Sequence, residues 1–213
     1  MINEFDIYLF DFDGTLVDTQ DSLHRVFSLA YAAIGINNIT LEDTLHLMRI
    51  PLFKGYEEYH GPMDEESIKK FADEIIRLLD DEEVLKKSKP YSEVRSVLKQ
   101  LKNKGKKLGI VTSNNIKHVK DVLKYIDIEE SLFDVFVGNK ETKKHKPYPD
   151  PLLKALETLN VDKEKACYVG DAIDDMRCAV NAHIGMILID RDNSQNEAPY
   201  PKIKTLDELL ISK

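Results

Sequence analysis

The 213 residues include no tryptophan and only two cysteines, Cys167 and Cys178. Two cysteines cannot frame a disulfide-built scaffold, and no Cys-x-x-Cys metal pattern occurs. Both read as small buried apolar residues, and the expected compartment is a reducing cytoplasm. Long apolar runs are also missing. Apolar stretches such as Val135–Val137 and Ile184–Ile189 are far too short to span a bilayer, and no membrane partner is expected. Glu4 and Asp6 stand at the N-terminus and lead straight into the first apolar run, unlike a signal peptide. Positive charge is in deficit, with 30 Lys and Arg against 38 Asp and Glu and a net charge of −8. A phosphate backbone needs a basic surface, so nucleic acid is not the expected partner. No internal repeat or low-complexity segment is present. What remains is a composition of 42% hydrophobic and 32% charged residues, that of a globular chain able to bury a core.

Ile7 to Phe10 is a short continuous apolar run, the pattern of a strand buried in a parallel sheet. It runs into Asp11-Phe12-Asp13-Gly14-Thr15. Leu23, Val26, Phe27, Ala30 and Ile34 then follow helical spacing up to Gly35. Thr40-Leu41-Glu42-Asp43 predicts a capped short helix to about Arg49, broken by Pro51 and Gly55. Asp64 opens a longer helix carrying Ile68, Phe71, Ile75, Leu78 and Leu79 on one face. Residues 17 to 87 therefore read as all-helical.

From Pro90 strands and helices alternate. Strands are predicted at 108–111, 134–137, 166–169 and 186–189. Helices are predicted near 94–101, 119–126, 152–159 and 176–182, with Asp150 as N-cap of the third. A short C-terminal helix is capped at Thr205. The alternation implies an α/β fold: a Rossmann-like, doubly wound parallel sheet formed by residues 1–16 and 88–213, with a small all-helical domain, 17–87, inserted.

In such a sheet the loops leaving the carboxyl ends of the strands form one crevice. Four exits carry unusual polar residues: Asp11 and Asp13; Thr112, Ser113 and Asn114; Lys146; and Asp171, Asp174 and Asp175. Asp11, Asp13, Asp171 and Asp175 bring four negative charges against one from Lys146. A partly buried site cannot hold that excess without protons or a cation. Oxygen ligands without Cys or His suit a hard cation, Mg²⁺ foremost. Metal and lysine together could clamp a phosphoryl group.

These residues resemble the four signatures of the haloacid dehalogenase superfamily of phosphotransferases. Asp11-Phe12-Asp13-Gly14-Thr15 is similar to the first and Thr112, after its apolar strand, to the second. Lys146-Pro147-x-Pro149-Asp150 is similar to the third, and Gly170-Asp171-x-x-x-Asp175 to the fourth. Closest in texture is the phosphoglycolate phosphatase and β-phosphoglucomutase-like branch. The interval from Asp13 to Thr112 is about three times that from Thr112 to Lys146, which matches members whose small helical cap, of the C1 type, follows the first motif.

The resemblance implies roles. Asp11 would be the nucleophile forming an aspartyl-phosphate, and Asp13 the general acid and base. Asp11, Asp171 and the main-chain carbonyl of Asp13 would hold Mg²⁺, supported by Asp175. Thr112 and the backbone N–H groups of Ser113 and Asn114 would bind phosphate, with Lys146 neutralising charge. Gly14 would let the backbone turn sharply. Thr15 and Arg49 are candidate substrate contacts, Arg49 competing with a plain surface ion pair. The expected activity is Mg²⁺-dependent hydrolysis of a small phosphorylated metabolite. The alternatives are a phosphomutase sharing the motifs and a binding relative without catalysis. Asp174 reads as a helix-start carboxylate favoured by the dipole, and Lys102–Lys107 as a solvated helix end. Two departures stand out: Ala172 where the branch usually has Ser or Thr, and His183 where a glycine often ends the helix.

Overall fold

A computed structural model describes residues 4–47, 52–62, 64–191 and 199–211. The chain divides into two compact units, one of Met1–Asp18 with Pro90–Lys213 and one of Thr19–Lys89. Six parallel strands form the sheet of the first unit: β1 (Ile7–Phe10), β4 (Lys107–Val111), β5 (Val135–Val137), β6 (Ala166–Gly170), β7 (Gly185–Ile189) and β8 (Lys202–Ile203). Two short strands, β2 (Val17–Asp18) and β3 (Lys89–Pro90), lie where the chain passes between the units. The sheet order is β5-β4-β1-β6-β7-β8. The chain works outward from β1 through β4 to β5, then returns to add β6 on the other side of β1. This reversal is the switch point at which an open α/β sheet leaves a crevice.

Helices α6 (Val94–Asn103), α7 (Ile116–Tyr125), α8 (Asp150–Leu159) and α9 (Ile173–Ala182) cover the sheet. Leu9, Val111, Val137, Tyr168 and Leu188 from the strands share one core with Leu152, Ala155, Met176 and Ala179 from α8 and α9. The strands are buried on both faces, so they read as unbroken apolar runs rather than alternating ones. The strand at 202–203 escapes sequence reading because two residues carry no period. The predicted C-terminal helix is a 3-10 turn, Leu206–Leu210, preceded by a capping arrangement in which Glu208 Oε1 accepts from the N–H of Lys204 at 2.7 Å. Asp150 is the first residue of α8 and not its cap; Pro149 precedes it.

The second unit holds α1 (Gln20–Ala33), α2 (Leu41–Leu47), α3 (Leu52–His60), α4 (Glu65–Leu79) and α5 (Glu82–Leu85). Asp64 caps α4 by accepting from Ser67 N–H at 2.8 Å. The expectation that Gly55 breaks the helix is corrected: Gly55 lies inside α3. A glycine costs a helix interior roughly 1 kcal/mol. Complete burial of the neighbouring Tyr56 ring outweighs it, stacked edge-on against Phe71 at 4.8 Å. Tyr31 meets the same Phe71 at 4.9 Å, so one ring joins α1, α3 and α4. Among the described residues no helix is long and apolar enough to cross a membrane.

Candidate active site

The strand register sets the site. Phe10 lies level with Ile110 of β4 and with Val169 of β6. Asp11 N–H still donates to Val169 O at 2.9 Å, and Thr112 N–H to Val137 O at 2.9 Å. The side chains of Asp11 and Thr112 and the first residues after β6 therefore leave the sheet together, at the switch point.

Lys146 is the hub. Its Nζ donates to Asp11 Oδ1 and to Asp175 Oδ1, both at 2.7 Å, and to Tyr168 Oη at 3.3 Å. Only 9% of the Lys146 side chain is exposed and none of Asp175's, so this is a buried charge pair with two acceptors. Asp175 Oδ2 accepts from Ala172 N–H at 3.0 Å. That bond serves the helix start where a Ser or Thr hydroxyl is missing. Carboxylate oxygens of Asp11, Asp171 and Asp175 all lie within 4.8 Å of one another. Gly14 has φ +75°, and a Cβ there would stand 2.4 Å from Asp171 Oδ2. The glycine is required twice, for the turn and for the carboxylate beside it. Thr15, fully buried, donates its hydroxyl to Asp171 Oδ1 at 3.1 Å.

Asp13 accepts a hydrogen bond at Oδ2 from Asn114 Nδ2. Asn114 N–H donates to Thr112 Oγ1 at 3.1 Å, so both ends of this residue brace the site's own groups. Ser113 is exposed. Asp174 is exposed too, 3.5 Å from Arg177. Arg49 lies outside the described residues. His183 ends α9 with φ 57°, taking the left-handed conformation that a glycine usually supplies.

Charge explains why these groups need one another. Burial pushes the Asp11 carboxyl well above its usual range, with Lys146 opposing and the other carboxylates adding to the rise. Burial, then the charge of Asp175, raises Asp171 to about 7. Burial works against the Lys146 ammonium, but Asp11 and Asp175 outweigh it and hold the proton firmly. Three carboxylates around one ammonium leave an excess of negative charge that a proton or a cation must meet. The donors are all oxygen, which fits Mg²⁺ and does not fit a soft metal.

One participant escaped the sequence. Tyr168, in mid-strand, donates its hydroxyl to Val111 O at 2.7 Å and lies 3.2 Å from Asp175 Oδ1. It looked like one more apolar strand residue. Only its phenol, a group that seeks a partner when buried, hinted otherwise.

A sequence profile described as haloacid dehalogenase-like hydrolase matches residues 8–189. The chain belongs to this family of hydrolases. Among relatives, the pyrophosphatase PpaX of Bacillus cereus is 32% identical over 174 residues, 82% of this chain and 78% of that protein. A phosphoglycolate phosphatase of Aquifex aeolicus is 30% identical over 183 residues, 83% and 80% of the two. CbbY of Rhodobacter sphaeroides, solved in complex with phosphate, superposes with a TM-score of 0.80 at 21% identity, over 96% of each chain. At that identity the likeness speaks for the fold alone. It matches the Rossmann-like parallel sheet expected from the alternating pattern.

Proposed function

We propose that the chain is a Mg²⁺-dependent phosphatase of small phosphorylated metabolites, working through an aspartyl-phosphate. The observation that carries this reading is the buried arrangement of Asp11, Asp171 and Asp175 around Lys146, with Asp13 two residues from Asp11 and braced by Asn114. No packing need explains three carboxylates brought together at the carboxyl end of the sheet, and relatives named as phosphatases support the chemistry.

Asp11 attacks phosphorus, forming an aspartyl O–P bond as the bond to the leaving oxygen breaks. Asp13 gives that oxygen its proton, then takes one from the water that cleaves the aspartyl-phosphate. Lys146 keeps Asp11 oriented and offsets phosphate charge. Thr112, braced by Asn114, supplies a hydroxyl to a phosphate oxygen. Asp11, Asp171 and the main-chain carbonyl of Asp13 would hold the metal, with Asp175 steadying it through Lys146 and Ala172. Bound there, Mg²⁺ supplies charge neutralisation and a template for a phosphate oxygen. The helical unit, Thr19–Lys89, takes the part of a substrate-selecting C1-type cap. Two buried unpaired cysteines suit a cytoplasmic setting.

Phosphate release from a panel of phosphoglycolate, sugar phosphates, nucleotides and pyrophosphate, with Mg²⁺ and with chelator, tests the proposal. At least one member should be hydrolysed with Mg²⁺ only. Asp11→Asn should abolish turnover, and Asp13→Asn should cost about 10²–10⁴-fold. A panel without any turnover by folded protein would sink the reading.

A further inference from the structure

Arg191 follows β7, far in sequence from Asp13, yet its guanidinium closes over the turn that Asp13 begins. Its Nη2 donates to Thr15 O at 2.8 Å and its Nε reaches Gly14 O at 3.4 Å. Nη1 donates to Glu93 Oε1 at 2.8 Å, and the guanidinium carbon stands 3.5 Å above the centre of the Tyr91 ring. Glu93 is itself fixed, accepting also from Leu206 N–H at 3.3 Å, and only 7% of its side chain is exposed. All three guanidinium nitrogens therefore have acceptors, and one face is stacked on a ring.

The turn needs such a partner. Gly14 N–H donates to Val17 O at 2.8 Å, and Phe12 O accepts from both Leu16 and Val17 N–H groups. This local pattern uses the Phe12 and Val17 carbonyls and leaves those of Gly14 and Thr15 to be met from elsewhere. Thr15 is completely buried, where water is a poor substitute. On one side its hydroxyl holds Asp171; on the other its carbonyl is held by Arg191. Tyr91 N–H donates to Leu16 O at 3.3 Å, so the platform under the guanidinium is tied to the same turn. A planar guanidinium can meet two successive carbonyls and a carboxylate with separate nitrogens in one rigid plane while stacking on a ring; a compact ammonium on a flexible stem offers no such plane.

We propose that Arg191, oriented by Glu93 and Tyr91, is a positioning residue that sets the Asp13–Thr15 turn and thereby the aim of the Asp13 carboxyl. This rests on the reading of Asp13 as the acid and base. Small misplacements of such a group are costly, on the order of 10²-fold for about 1 Å. Arg191 touches no reacting atom, so its loss should fall on kcat and leave KM nearly unchanged.

The test is a mutant cycle with Mg²⁺ and an alkyl phosphate taken from the panel, whose leaving alkoxide needs the proton that Asp13 supplies. Arg191→Ala should lower kcat about 10–100-fold in the native background. In the Asp13→Asn background the same change should cost less than about 2-fold, because the group it aims is gone. Arg191→Lys should fall between the two, keeping the charge but losing the fork. If Arg191→Ala does not fold, Arg191→Lys and Glu93→Gln carry the same cycle. Equal losses in both backgrounds, or a lower unfolding temperature with unchanged kcat, would overturn the proposal while the phosphatase reading stood. Full activity of Asp13→Asn alone would overturn the acid and base role of Asp13, and this proposal with it, while the turnover itself would still be that of a phosphatase.

Discussion

The two units solve the problem of buried polarity in opposite ways. Among the described residues, the buried carboxylates Asp11, Asp175 and Asp190 all lie in the α/β unit. In the helical unit the buried polar side chains besides tyrosine are Thr19, Ser22, Thr44 and Ser88, all uncharged. Its core is apolar, with Phe27, Tyr31, Tyr56 and Phe71 among aliphatic neighbours, and ion pairs such as Lys70–Glu66 and Lys86–Glu83 sit on the surface, where they contribute little. Burying an ion costs several kcal/mol unless it is well paired. A unit to which no reacting group is assigned avoids that cost. The α/β unit accepts it at the end of β1 and offsets it with Lys146, and this is where the chemistry is assigned.

Lys146→Met should break the contrast most sharply. It leaves Asp11 and Asp175 facing each other without a countercharge, and removing one partner of a buried pair costs about 3–5 kcal/mol. Urea unfolding in chelator measures this, and turnover should collapse alongside. Added Mg²⁺ should recover part of the loss by binding the folded state. Unchanged stability would mean that the carboxylates do not share the lysine's charge. Phe71→Ala probes the other unit. It removes the ring on which Tyr31 and Tyr56 rest, a loss of about 3–5 kcal/mol. Hydrogen exchange should quicken across α1, α3 and α4, while β1, β4 and β6 keep their protection. Equal loosening of both would dissolve the distinction between two cores.

The same contrast governs how much the sequence reveals. Strands buried on both faces read as apolar runs, so β1, β4, β6 and β7 were legible to within a residue or so. Asp11, Asp13 and Asp171 stood out as candidates because charge at the end of an apolar run has no packing motive, whereas Lys146 and Asp175 stood out only through the motifs they resemble. Groups that act through packing were not. Tyr168 and Arg191 sit where an aromatic strand residue and a surface cation would be unremarked, and only tertiary contacts give them partners. In the helical unit α3 was missed because Gly55 reads as a breaker, whereas burial of Tyr56 decides the matter. Asn114 was expected to offer its N–H to phosphate; the structure engages that N–H with Thr112 and the side chain with Asp13. Spacing can locate such a residue but cannot show which of its groups is already engaged.

The smallest effect lies at the surface of the helical unit. Asp43 closes the cap of α2, accepting from the N–H and hydroxyl of Thr40 at 2.8 and 2.6 Å and from Tyr59 Oη at 2.6 Å. The Thr40 hydroxyl, then Tyr59, hold the Asp43 carboxyl below its usual range. The same hydrogen bond, ahead of burial, raises the Tyr59 phenol to about 12. A depressed carboxyl contributes stability that is fully present above the unfolded value, about 3.9, and is lost as pH falls through the lower folded value. Asp43→Asn should therefore weaken the protein above about pH 4 and flatten its acid limb below it. An amide carries no charge but still offers one acceptor, so the loss is of the order of a single cap, about 0.5–2 kcal/mol. Urea midpoints measured from pH 7 down to pH 3 would show it. An unchanged acid limb would mean that Asp43 is as solvated when folded as when unfolded. The cap of α2 would then owe nothing to its charge, and the contrast with the buried carboxylates around Lys146 would be sharper.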